Sequence, residues 1–118
     1  MGLAQNKLVR LRQRYERQKS RLLTLGPVLQ GTITPRTILR VNPELPDQPK
    51  KFGPYYQWTW KREGKTVTVN LTAQQNKLYQ RAINNNRKLE QLIGEMRALS
   101  NQILKLSTVS VKRRKTKP

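Results

Sequence analysis

The stretch that decides the fold is residues 55–71, which read YYQWTWKREGKTVTVNL. Apolar and polar residues alternate on both sides of Glu63-Gly64, and this pattern predicts a β-hairpin with a two-residue turn. Counting outward from that turn pairs Arg62 with Lys65, Trp60 with Val67, Trp58 with Val69 and Tyr56 with Leu71. One face is then apolar and the other polar. A slip of one residue would destroy both faces, so the sequence predicts this register.

A helix is predicted on each side of the hairpin. Residues 4–25 place apolar side chains at heptad spacing and end at Gly26-Pro27, a helix stop. Thr72 and Gln75 fit a capping box, which predicts a second helix over residues 73–107. The first seam comprises Leu8, Leu11, Tyr15, Leu22 and Leu25, with Gln18 in the gap. The second comprises Leu78, Ala82, Asn85, Leu89, Leu92, Met96, Leu99, Ile103 and Leu106.

A further strand is predicted upstream of the hairpin, over Thr32–Val41, because the segment is rich in β-branched residues. Pro35 within it indicates an edge position or a bulge. Residues 42–49 contain three prolines, and we expect a loop there.

The two seams can be aligned antiparallel with Leu25 beside Leu78, which places Gln18 opposite Asn85 as a buried polar pair. This alignment leaves Leu99, Ile103 and Leu106 without a partner, as a candidate protein contact or homodimer surface. The predicted fold class is α+β: two long helices forming an antiparallel coiled-coil arm, with a small antiparallel sheet of two to three strands between them in sequence. The sheet's apolar face, with Trp58 and Trp60, is expected to pack near Leu25, Pro27 and Leu78. Residues 1–107 would form one domain and residues 108–118 a disordered basic tail.

The charge of the chain indicates its partner. Twenty-five Lys and Arg stand against six Asp and Glu, a net charge of +19 in 118 residues. Such an excess opposes compaction, and a polyanion relieves it. Nucleic acid is the commonest such partner, because neutralised phosphates release counterions. An anionic lipid surface is a weaker candidate.

The chain offers little for chemistry. It has no Cys and no His, which excludes disulfides and thiolate metal sites, and its six carboxylates lack the spacing of a catalytic pair. We therefore predict that it is not an enzyme and uses no metal or cofactor.

Three surfaces are candidates for nucleic-acid binding: the first helix, the polar hairpin face with its turn, and the basic tail. Their residues are Lys7, Arg10, Arg12, Arg14, Arg17, Lys19 and Arg21; Gln57, Thr59, Lys61, Arg62, Lys65, Thr68 and Asn70; and Lys112, Arg113, Arg114 and Lys115. Each surface has a plainer interpretation as solvated protein surface. The aromatic row of Tyr56, Trp58 and Trp60 is interpreted as core rather than as a base-stacking platform.

Gly53-Pro54-Tyr55-Tyr56, followed by the hairpin with Gly64-Lys65 and a long helix, resembles an uncharacterised bacterial domain family of unknown function. That family carries a His-Gly-Pro-Tyr-Tyr motif and often lies near transposon and recombinase genes. The resemblance covers roughly residues 8–104 and implies a helix, a strand, the hairpin and a closing helix. Phe52 replaces the motif His, and residues 40–49 lack the Cys-rich stretch of many members.

Together these observations predict a non-enzymatic nucleic-acid-binding accessory protein that binds duplex DNA within a mobile-element or recombination complex. Its protein partner would be a recombinase, a transposase or another nucleoprotein component. The expected location is the bacterial cytoplasm, associated with the nucleoid or a ribonucleoprotein and not with a membrane. Two alternatives stay open: a structured-RNA-binding subunit of a ribonucleoprotein, and a protein–protein adaptor using the C-terminal helix end.

Overall fold

The computed structural model describes residues 2–109 and has the predicted α+β architecture. Helix α1 spans Leu3–Arg21 and continues as a short 3-10 turn, Leu22–Thr24; helix α2 spans Ala73–Ser107. Between them in sequence lie strands β1 (Thr32–Asn42), β2 (Leu45–Arg62) and β3 (Lys65–Leu71), which form one antiparallel sheet in the order β1-β2-β3. The described residues divide into unit one, 2–25 with 88–109, and unit two, 26–87.

The hairpin between β2 and β3 has the predicted register at every pair. Tyr56 lies opposite Leu71, and Arg62 lies opposite Lys65. Both turn residues have positive φ, 50° at Glu63 and 79° at Gly64. This conformation is the one in which the turn's twist matches that of the strands.

Strand β1 lies at the edge of the sheet, as Pro35 indicated. The loop predicted over residues 42–49 is wrong, because β2 begins at Leu45 and pairs with Asn42 across a tight turn. Pro46 and Pro49 are tolerated because β1 pairs with β2 at Leu45 and again only from Lys50, and β3 pairs with β2 only from Tyr56 onward. At residues 46–49 a missing N–H therefore leaves no ladder bond unmade.

In unit one, α1 buries the predicted seam. Among residues 2–25, only the six seam positions are buried or half-buried, and Leu11 is the most buried at 4% exposure. On α2, Leu89, Leu92, Met96, Leu99 and Ile103 are likewise buried or half-buried. The heptad pattern thus identified the packed faces of both helices in this unit.

The predicted register between these seams is wrong. Leu25 shares a groove with residues 88–95 rather than with Leu78, and Tyr15 shares another with Ile103 and Leu104. The helices are antiparallel, but the alignment is displaced by roughly two heptads, a slide that keeps the same faces together. Ile103 therefore lies beside α1, and Leu99 is buried. The expectation that both are uncovered is also wrong.

The predicted contact between Gln18 and Asn85 does not form. The Asn85 Nδ2 group donates to the Pro27 carbonyl oxygen at 3.0 Å. The buried Gln18 Oε1 has no hydrogen-bond partner among the described residues. The Asn85 amide thus bonds within unit two, and the two amides do not fix the register of the helices.

Unit two is held together by the extended segment 26–30. The Leu29 amide donates to the Ala82 carbonyl oxygen at 3.1 Å, and the Trp58 indole Nε1–H donates to the Gln30 carbonyl oxygen at 2.8 Å. The segment thus joins the first half of α2 to the sheet. The Trp58 and Asn85 side chains thus supply hydrogen bonds to the Gln30 and Pro27 carbonyl groups, which lie outside any helix or strand.

The core of unit two lies between the sheet's apolar face and α2. The Trp58 ring stacks on Trp60 with centroids 3.8 Å apart and meets Tyr79 edge-on at 5.3 Å. Leu71 and Ile83 are buried at 2% and 3% exposure. Leu78, predicted to lie in this core, is 58% exposed. The face that α2 buries here is centred on Ala82 and Ile83 instead, because a straight helix drifts relative to a strict heptad.

Candidate nucleic-acid interface

The face of the sheet opposite the tryptophans is polar and cationic; we call it the outer face. Directly opposed residues of neighbouring strands share a face, and alternation along each strand extends it. The pairings place Thr34 beside Gln57 and Gln57 beside Asn70. The outer face comprises Thr32, Thr34, Arg36, Tyr55, Gln57, Thr59, Lys61, Thr66, Thr68 and Asn70. It contains no carboxylate.

A chain of side-chain hydrogen bonds crosses the outer face from β1 to β3. The Arg36 Nε–H donates to Gln57 Oε1 at 3.2 Å, and Gln57 Nε2 donates to Asn70 Oδ1 at 3.3 Å. The Thr59 and Thr68 hydroxyl oxygens lie 3.4 Å apart on the next rung. The predicted residues Gln57, Thr59, Thr68 and Asn70 are thus brought together. Arg36 joins them, although the sequence analysis did not single it out.

Beyond the end of β3, strands β1 and β2 continue as a two-stranded ribbon, which we define as Arg36–Asn42 with Leu45–Tyr55. It carries four exposed cations: Arg36, Arg40, Lys50 and Lys51. The Arg40 guanidinium lies 5.4 Å from the centre of the Phe52 ring. This surface was not expected, because residues 42–49 were predicted to form a loop. Residues 45–52 carry no regular apolar–polar alternation, so no periodic signal in the sequence revealed it.

Cations also crowd the turn of the β2–β3 hairpin. Lys61, Arg62 and Lys65 are all exposed, and Arg62 lies directly opposite Lys65. Like charges opposed across two strands repel each other. A phosphate placed between them would relieve that repulsion.

In unit one, all seven predicted cations of α1 are exposed. Arg14, Arg17 and Arg21 line a shallow polar groove together with Gln18. Their spacing of three and then four residues puts them on one stripe, about 10 Å long at 1.5 Å per residue. This stripe can contact successive phosphates along a backbone.

The remaining predicted residues are placed as follows. Lys112, Arg113, Arg114 and Lys115 lie outside the described residues, as does most of the predicted basic tail. Of the predicted protein-contact residues, Leu99 is buried, Ile103 is half-buried and Leu106 is 37% exposed. Of these three residues, only Leu106 therefore offers exposed apolar surface at this helix end.

Comparison with protein-family models, with curated proteins and with solved structures found no match to this chain. None of the helices within residues 2–109 is long and apolar enough to cross a bilayer. In the same range, no three His, Cys, Asp or Glu residues are grouped so that they could hold a metal ion.

Proposed function

We propose that this chain is a non-enzymatic protein that binds duplex DNA, as an accessory to a mobile-element or recombination complex. The observation that carries the proposal is the outer face of the sheet. Taken together, its three strands present amides, hydroxyls and cations and no carboxylate, on a chain of net charge +19. Side chains of these types bind phosphates and the edges of bases.

The dimensions of the sheet favour duplex DNA over structured RNA. Neighbouring strands lie about 4.8 Å apart, so two adjacent strands of the three, such as β1 and β2, fit within a major groove about 12 Å wide. The major groove of A-form RNA is deep and too narrow for such an element. A pair of polar strands therefore has better access to base edges in B-form DNA.

The proposed contacts fall into two groups. Lys61, Arg62 and Lys65 at the hairpin turn contact phosphates, as does the arginine stripe on α1. Gln57, Thr59, Thr68 and Asn70 lie where base edges would be met. Phosphate contacts supply affinity that salt weakens, whereas base contacts supply sequence preference.

Titration of duplex DNA, single-stranded DNA and hairpin RNA at several salt concentrations tests the proposal. We expect duplex DNA to bind most tightly and some duplex sequences to outcompete bulk duplex. A consistent preference for hairpin RNA would replace the proposal with an RNA-binding subunit of a ribonucleoprotein. Failure to bind any polynucleotide at low salt would overturn it altogether.

A pair of charge-matched variants separates a specific surface from general attraction. Replacing Lys61, Arg62 and Lys65 by Gln removes three charges from the hairpin turn. Replacing the exposed Lys77, Arg81 and Lys105 of α2 by Gln removes the same number elsewhere. We expect the hairpin variant to lose at least about tenfold more duplex affinity than the α2 variant, because the hairpin charges contact phosphates and the three α2 charges do not. Equal losses would show that only net charge matters.

The link to recombination rests on the resemblance built on Gly53-Pro54-Tyr55-Tyr56. It predicts a recombinase or transposase encoded near this chain and binding to it. Mixing the two purified proteins with duplex DNA should give a ternary complex in gel filtration. A chain that elutes separately from that enzyme, with and without DNA, would contradict this part of the proposal.

A further inference from the structure

The hydrogen-bond chain from Arg36 to Asn70 has a fixed direction. A guanidinium has five donors and no acceptor, so the Gln57 atom facing Arg36 must be its oxygen. The Gln57 NH₂ group then faces Asn70, and the Asn70 atom that receives it must be its oxygen. One arginine at the edge strand thereby orients both amides.

This direction determines what the outer face offers to a ligand. Arg36 uses one donor on Gln57 and keeps its terminal fork, and Asn70 keeps its NH₂ group. Gln57 has both its oxygen and its nitrogen engaged within the protein. Reading adenine requires an amide that presents oxygen and nitrogen side by side to one base. Neither Gln57 nor Asn70 presents that pair, so this row offers donors.

The Arg36 side chain is also held in place. Its Nε is fixed by Gln57, and Arg36 itself is exposed, with the 41%-exposed Tyr55 as its cross-strand neighbour. An arginine held at Nε presents its two terminal nitrogens as a planar fork, which suits a pair of acceptors in one plane. Guanine presents such a pair, O6 and N7, in the major groove.

We propose that Arg36 reads guanine in the major groove of duplex DNA, with Gln57 as its positioning residue and Asn70 as a second donor. This inference rests on the proposed function and adds a base preference to it. Restraining Arg36 before binding reduces the conformational entropy lost on binding.

Replacement of guanine by 7-deazaguanine tests the inference, because it removes the N7 acceptor and keeps base pairing and charge. The duplex used is the tightest binder selected from a random pool. We expect 7-deazaguanine at one position to lower affinity by about 5- to 150-fold, the range for one bidentate contact. Phosphate binding alone would leave affinity unchanged at every position.

Two lysine variants assign the contact to Arg36. Arg36→Lys keeps the charge but loses the planar fork and the Nε donor to Gln57, so we expect the discrimination between guanine and 7-deazaguanine to fall while the salt dependence persists. Arg40→Lys is the matched control, on the same strand and exposed, with its guanidinium over Phe52 instead of an amide. It should keep the discrimination. Equal behaviour of the two variants would overturn the role of Arg36.

Variants of Gln57 test the positioning role. Gln57→Glu still accepts a hydrogen bond from Arg36, so we expect guanine discrimination to persist while overall affinity falls through repulsion of phosphates. Gln57→Leu removes the acceptor and should lower discrimination more than affinity. Thermal melts of all variants exclude unfolding as the cause.

The outcomes distinguish the inference from the function beneath it. If the unaltered protein binds no duplex, the proposed function fails. If it binds duplex tightly but ignores 7-deazaguanine everywhere, the guanine inference fails and the proposed function stands.

Discussion

At the scale of single residues, Gly31 shows how one backbone position holds unit two together. Its φ of 111° lies in a region that L side chains rarely adopt. A Cβ there would overlap the Thr59 carbonyl oxygen and lie 2.7 Å from Trp58 Nε1. The preceding residue, Gln30, accepts the Trp58 hydrogen bond. Glycine at 31 therefore lets the chain pass close to the central strand.

Gly31→Ala should destabilise the protein by about 1–3 kcal/mol, because it adds both backbone strain and a steric clash. Chemical denaturation measures the change. Gly94→Ala is the matched control, since a Cβ there meets nothing within 4 Å and the position is inside α2. That variant should stabilise by about 0.5–1 kcal/mol through helix propensity. Effects of the same sign would contradict this account of Gly31.

Glu63 is the one described non-glycine residue with positive φ. Glu63→Asn should stabilise the hairpin by about 0.5–1 kcal/mol, because Asn tolerates this conformation better than Glu. Glu44→Asn removes the same charge in the other hairpin turn, where φ is negative, and should have a smaller effect. If the denaturation midpoint rises equally for both variants, the gain comes from removing a negative charge and not from the backbone conformation.

At the scale of elements, helix α2 begins with the predicted reciprocal cap. Gln75 N–H donates to Thr72 Oγ1 at 3.1 Å, and Thr72 N–H donates to Gln75 Oε1 at 2.9 Å. Two of the amides that a helix start leaves without partners are thus satisfied. The cap fixes the junction between the two elements: β3 ends at Leu71 and α2 begins at Ala73.

Thr72→Ala should cost about 1 kcal/mol of unfolding free energy, because the Gln75 amide loses its acceptor. Thr72→Ser keeps the hydroxyl and should stay within a few tenths of a kcal/mol of the native value. Thr108→Ala, which removes a hydroxyl bonded to the Leu104 carbonyl at the other end of the helix, should have little effect. A Thr72→Ser variant as unstable as Thr72→Ala would argue against the cap.

The register of the two helices in unit one can be tested by cross-linking, since the chain has no natural cysteine. Cysteines at positions 15 and 103 should be joined rapidly by a short bismaleimide, because Tyr15 and Ile103 line one groove. Cysteines at positions 15 and 89 would be joined instead if the simple heptad alignment held. Mass spectrometry of the products decides between the two registers.

At the scale of the whole molecule, the net charge of +19 dominates the behaviour expected in solution. Self-repulsion lowers the stability of the free protein, and any polyanion that binds the folded state raises it. Unit one carries the arginine stripe of α1, and unit two carries the outer face and the ribbon. Each unit therefore has a cationic surface of its own.

Replacing Arg14, Arg17 and Arg21 by Gln should reduce the slope of log K against log salt by about 2.7, or about 0.9 for each lost phosphate contact. Guanine discrimination should be unchanged, because these residues contact no bases. The Lys77, Arg81 and Lys105 variant removes the same charge and should leave the slope nearly intact. An equal fall in slope for both variants would show that no stripe on α1 is engaged.

Local patterns were sufficient for much of the fold. The β2–β3 register followed from residues 56–71, because alternation and a two-residue turn permit one pairing that keeps both faces consistent. The start of α2 followed from its cap, and the packed face of α1 followed from heptad spacing. In each case the interacting residues lie close together in sequence, so the pattern itself carries the information.

Tertiary structure decided the features that depend on distant residues. The helix register was ambiguous because a heptad seam looks the same after a slide of seven residues. The ribbon was missed because prolines are excluded from a strand only where their N–H groups would have to pair, and residues 46–49 lie in an interruption of the β1–β2 register beyond the end of β3. Arg36, Gln57 and Asn70 are separated by 21 and 13 residues, and only the sheet brings their side chains within hydrogen-bond distance. A periodic pattern specifies which face of an element is buried, whereas the choice of neighbour across that face is made when the elements pack.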